Sequence, residues 1–107
     1  MVDIAYARPV PGPITQNYSE EHRAVDYACS IGDPVFAATA GQLSIGYDHD
    51  LGNTVTIKGS NYITTYSHLS VMAPPGWYDK GVVIGECGNT GRLTTGPHVH
   101  FTLQLNK

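Results

Sequence analysis

The chain is short of charge. Asp, Glu, Lys and Arg make up 14% of its 107 residues, and the formal net charge is −3. Without a basic excess there is no electrostatic footprint for nucleic acid, whose binders carry a basic face. No apolar run approaches the ~20 residues that span a bilayer as a helix, so no membrane partner is expected. The opening Met1-Val2-Asp3-Ile4-Ala5-Tyr6-Ala7-Arg8-Pro9 has an early Asp and no apolar core segment, and does not read as a secretory leader. Work outside the producing cell would then need delivery by lysis, by a phage particle or as part of a longer precursor. Cysteine is scarce too: Cys29 and Cys87 form no Cys-x-x-Cys pair, which argues against thiolate metal ligation. Two cysteines without a leader read as small buried apolar side chains, with a disulfide as the open alternative. Helical periodicity is also missing, because no window sustains it over the ~11 residues of an average helix.

What the chain has is turns and short β-type runs. Twelve Gly and seven Pro punctuate it, and 41% apolar content is enough for a folded core. Strands are expected over Pro34–Ala38, Gln42–Tyr47, Asn53–Lys58, Tyr62–His68, Gly81–Gly85 and Val99–Leu105, each rich in β-branched or aromatic residues. Turn signals separate them: Gly32-Asp33-Pro34, Asp48 to Asn53, Pro74-Pro75-Gly76 and Gly88-Asn89-Thr90-Gly91. The expected fold is all-β, with mostly antiparallel sheets packed as an open barrel or sandwich. One domain over residues 1–107 is expected, with residues 1–12 as an extended arm.

The five histidines carry the chemical signal. His98 and His100 flank Val99 on an expected strand, so both rings point to one face. His22 and Asp26 lie four apart and can converge across a helical turn or across a loop that enters a strand. His68 ends another strand, while His49 sits between two aspartates in a turn and reads as solvated. A hydrolytic zinc takes three His or carboxylate ligands and keeps a fourth position for water, whose pKa it lowers from ~15.7 toward ~7. Spare imidazoles, with an ordinary pKa of ~6.5, can carry protons beside it.

In order along the chain, these motifs resemble those of the lysostaphin-type zinc endopeptidases. His22-Arg23-Ala24-Val25-Asp26 resembles their His-x-Gly-x-Asp segment, and Tyr66-Ser67-His68-Leu69 their Tyr-x-His-Leu motif. Gly85-Glu86-Cys87-Gly88-Asn89-Thr90-Gly91, followed by Gly96-Pro97-His98-Val99-His100-Phe101, resembles their closing signature. The resemblance runs from about residue 12 to 105 and also takes in the Pro34-Val35 and Gly52-Asn53 stretches. It implies one Zn²⁺ held by His22, Asp26 and His100, with His68 and His98 as the catalytic histidines, on a β-sheet core with the site in a groove formed by loops. It implies a peptidoglycan hydrolase cutting a stem peptide or cross-bridge at the bacterial cell wall, as a monomer. The alternative is an inactive wall-binding or regulatory domain of the same fold. Ala24 departs from the pattern and would be strained if the family's Gly takes a positive φ. Two further expectations concern the groove: Tyr18 and Tyr66 as hydrogen-bond donors to substrate or as structural residues, and Val71–Lys80, with Trp77, as one wall.

Overall fold

The structure is a computed structural model that describes residues 8–16, 24–92, 94 and 96–106. Among these residues there is no helix. The strands are β1 (Ile14–Gln16), β2 (Val25–Ala28), β3 (Pro34–Phe36), β4 (Gly41–Asp48), β5 (Gly52–Lys58), β6 (Tyr62–Leu69), β7 (Val71–Met72), β8 (Gly76–Tyr78), β9 (Val83–Glu86) and β10 (His98–Leu105). Seven form one sheet in the order β1-β2-β10-β6-β5-β4-β8, and three form a second in the order β3-β9-β7. Every paired neighbour is antiparallel. Neither sheet closes into a barrel, so the all-β expectation holds in its open, two-sheet form.

The core follows from two-residue alternation. Val99 and Phe101 of β10, Val55 and Ile57 of β5, Leu43 of β4 and Tyr66 of β6 are all buried on the large sheet's inner face. Val35 of β3 and Ile84 of β9 join the same cluster from the small sheet. The tyrosine's phenol is buried with it: Tyr66 Oη accepts a hydrogen bond from the Ala38 N–H at 2.9 Å and lies 2.8 Å from Thr64 Oγ1. Of the two readings for Tyr66, the structural one is observed, and burial pushes its phenol above the ordinary tyrosine value. Tyr18 lies outside the described residues. At the N-terminal end, Pro9 and Val10 are buried, and the Pro9 carbonyl accepts from the Phe36 N–H at 2.8 Å.

Cys29 and Cys87 are joined in a disulfide. Of the two readings the sequence leaves open, the disulfide is the one observed, against the leaning toward two buried thiols. Partners 58 residues apart meet because β2 and β9 deliver them to the same end of the molecule, a relationship no local spacing can show. Ala24 has no positive φ, since His68 is the sole non-glycine residue in that region among those described. Ala24 is also buried, so its methyl is accommodated by packing rather than opposed by the backbone.

Candidate active site

Three strands of the large sheet bring the site together. Neighbouring antiparallel strands set His100 opposite Asp26 and opposite Ser67, and His98 opposite Ala28. Side chains directly opposite one another share a face. The His100 and Asp26 side chains accordingly meet, with Nδ1 3.0 Å from Oδ1. The His98 Nε2 lies 3.9 Å from the same carboxylate oxygen. The two-residue spacing of His98 and His100 therefore does what the sequence leads one to expect, with Asp26 added from the adjacent strand.

His68 reaches this face by a different route. Regular alternation would place it with Tyr66 and Thr64, toward the core. Instead, Asn53 of β5 pairs with Leu69 while Val55 pairs with Tyr66, so β6 holds one extra residue. This is a β-bulge, a device that re-aims side chains and gathers near functional sites. His68 takes up the irregularity with φ 66°, a conformation that costs a non-glycine residue on the order of 1–3 kcal/mol. Its ring centroid then lies 4.7 Å from that of His98 and 6.0 Å from that of His100.

Hydrogen bonds to backbone carbonyls set two of the ring tautomers. A carbonyl only accepts, so His68 Nδ1–H donates to the Thr90 carbonyl at 2.7 Å. His98 Nδ1–H likewise donates to the Gly96 carbonyl at 2.8 Å. In each neutral ring the lone pair is then on Nε2. His68 is buried, and burial is the main cause that holds it below the ordinary imidazole value. His98 and His100 push the same way, while the Thr90 carbonyl and Asp26 oppose them.

A recess of about 310 Å³ lined by Thr15, Gln16, Asp26, Gly96, Pro97 and His98 opens beside these groups. A larger one, about 420 Å³, surrounds the disulfide half Cys29 and is lined by no histidine. Within the segment expected as a groove wall, Trp77 lies elsewhere. β8 sits four places from β10 in the sheet order. Trp77 is on the register level of Gln42, Lys58, Ile63 and Gln104, well along the strand from His100. His49 is exposed in the β4–β5 turn, as expected. His22 lies outside the described residues.

The fit of a metal can be judged from the donors themselves. Ligands around a tetrahedral zinc, with bonds of ~2.0–2.1 Å, stand ~3.3 Å apart. Asp26 Oδ1 and His100 Nδ1, at 3.0 Å, are close to that separation. Among the described residues no group of three metal donors is assembled; the expected third ligand is His22. Hard oxygen and imidazole nitrogen without sulfur suit zinc, so the residues present fit the ion.

Residues not anticipated as part of the site are those behind His68. Thr90 and Asn53 both reach the Leu69 carbonyl, at 2.7 and 2.9 Å. The signal for them was present in Gly52-Asn53 and Gly88-Asn89-Thr90-Gly91, where glycine permits backbones to touch.

His68, His98, His100 and Asp26 are thus gathered on three adjacent strands of an open two-sheet β fold. The description of Peptidase family M23 matches residues 20–107, and the chain belongs to that family. It is 38% identical over 102 residues to the peptidoglycan DD-endopeptidase ShyC of Vibrio cholerae, covering 92% of this chain and 22% of that protein. It is 40% identical over 88 residues to the DD-carboxypeptidase/endopeptidase Mpg of Neisseria meningitidis, covering 79% of this chain and 20% of that protein. The chain thus spans about a fifth of the length of the curated relatives it matches. Among solved structures, a peptidase M23 from Pseudomonas aeruginosa superposes with a TM-score of 0.87 at 32% identity, over 96% of this chain and 46% of that one. Lysostaphin from Staphylococcus simulans gives 0.76 at 29% identity, over 90% and 42%.

Proposed function

We propose that this chain is a zinc-dependent endopeptidase that hydrolyses peptide bonds of peptidoglycan at the bacterial cell wall. The observation that carries the reading is the meeting of Asp26 and His100 at 3.0 Å, with His98 and His68 on the same face. His22, Asp26 and His100 would hold the ion. Bound there, zinc supplies a Lewis acid and a water acidic enough to ionise near neutral pH. His98 and His68 present Nε2 toward the site. From that atom a neutral ring takes a proton from the attacking water, and a protonated ring stabilises the oxyanion that develops on the substrate carbonyl. The Gly96 and Thr90 carbonyls keep the two rings in the tautomer this requires.

The substrate assignment is supported by relatives at 38–40% identity whose names give peptidoglycan DD-endopeptidase and DD-carboxypeptidase/endopeptidase activity. A DD linkage is accordingly the bond to assay first, with glycine-containing bridges as the comparison. Zinc-loaded protein should release fragments with new amine and carboxyl ends inside the peptide, identified by mass spectrometry. His100→Ala should abolish zinc binding and cleavage together. His68→Ala should keep zinc and slow cleavage about 10²–10⁴-fold, the usual range for a positioned acid–base group. Intact peptides from the loaded wild-type protein, or variants that cut as fast as wild type, would overturn the reading.

A further inference from the structure

The strained backbone at His68 needs something to hold it, and the contacts converge on one side chain. Thr90 Oγ1 donates to the Leu69 carbonyl at 2.7 Å and accepts the Asn53 N–H at 3.1 Å. A single hydroxyl thereby bridges β5 and the bulged end of β6 just after His68. The carbonyl of the same residue takes the His68 Nδ1–H at 2.7 Å. The fit around it is tight: a Cβ on Gly52 would lie 2.4 Å from Thr90 Oγ1, and one on Gly91 2.4 Å from the Gly52 nitrogen. Backbone bonds close the arrangement, with His68 N–H donating to the Leu51 carbonyl at 2.8 Å and Arg92 N–H to that of His49 at 3.0 Å.

We propose that Thr90 is the positioning residue of His68. Its hydroxyl pins the 88–91 loop to β5 and β6, so that its carbonyl fixes both the orientation of the His68 ring and its Nδ1–H tautomer. This rests on the proposed catalytic role of His68. The chemistry is specific to a hydroxyl, because the same atom must donate and accept. Valine, of equal shape, can do neither, whereas serine can do both. Outer groups that orient a reacting ring are typically worth 10–100-fold in activity.

The test compares Thr90→Val with Thr90→Ser in the zinc-loaded protein. Thr90→Val should lower kcat about 10–100-fold, with KM and zinc stoichiometry near wild type, and Thr90→Ser should restore kcat to within a few-fold. A second readout needs no substrate: ¹⁵N NMR of the imidazoles should show His68 as Nδ1–H in the wild type and in Thr90→Ser, and as a tautomer mixture in Thr90→Val. Should Thr90→Val fail to fold, Thr90→Ala, which likewise removes the hydroxyl's bonds to the Leu69 carbonyl and the Asn53 N–H but adds no γ-methyl groups, carries the same test. An unchanged kcat and tautomer in the folded valine variant would overturn the proposal, as would a loss that serine does not rescue. If wild-type protein cuts no peptidoglycan, the proposed function fails, and the tautomer comparison still decides whether Thr90 positions the ring.

Discussion

Gly91 and Gly52 touch backbone to backbone: a Cβ on Gly91 would stand 2.4 Å from the Gly52 nitrogen and 2.6 Å from the Asp50 carbonyl oxygen. Gly91 also has φ +91°, and Gly32 offers a control at φ +97° with nothing within 4 Å of its Cβ position. Gly32→Ala should cost about 1–2 kcal/mol through the left-handed backbone alone. Gly91→Ala should cost clearly more, because backbone has to move, and should also slow cleavage by disturbing the loop that orients His68. Urea unfolding midpoints and kcat of the two variants check this; equal destabilisation would mean that the contact carries no weight.

The Tyr66 phenol is committed to the core. Tyr66→Phe leaves the buried Ala38 N–H without its acceptor, a loss of about 1–3 kcal/mol. The expected outcome is a lower unfolding midpoint with kcat and KM unchanged at a temperature where the variant is folded. A selective fall in kcat would return Tyr66 to the site.

The Cys29–Cys87 disulfide closes a span of 58 residues. On the chain-entropy argument such a closure stabilises by about 4 kcal/mol, within a usual range of about 2–5. Reduction, or a Cys29→Ser/Cys87→Ser pair, should lower stability by that order, measured by urea unfolding with and without reductant. A negligible change would show that the reduced, denatured chain is already compact.

The depressed pKa of His68 makes stability depend on pH in a definite direction. Burial holds the folded-state value below the ordinary 6.5, so in mildly acidic solution the unfolded chain binds a proton that the folded protein does not. Stability is then fully present above pH ~6.5 and is lost as pH falls through that value toward the folded-state pKa. Thermal midpoints of metal-free protein between pH 7.5 and 5 should decline, and His68→Asn should decline less steeply. Parallel curves would assign the slope to other groups.

Regular periodicity made much of this legible. Strands β4, β5, β6 and β10, each seven or eight residues long, show enough alternation to be seen, and β10 with it puts His98 and His100 on one face. Strands β1, β2, β7 and β8, two to four residues long, are too short to display a period. Asp26 therefore could not be placed on a strand from its neighbours. The approach of His68 was hidden for another reason: alternation points it inward, and the bulge that turns it outward depends on β5, a different part of the chain. The pairing of Cys29 with Cys87, and likewise the place of Trp77 at the far edge, stayed open in the sequence because both are set by sheet order rather than by sequence distance.

Strand β10, the last of the described strands, lies third in the large sheet, between β2 and β6. During synthesis β6, β5 and β4 can pair as they emerge, since they follow one another directly. The β1–β2 ribbon has no such neighbour and joins the sheet only once residues 98–105 have been made. That same joining event brings His98 and His100 to Asp26. A growing chain can thus hold a formed hairpin region before His98 and His100 have met Asp26.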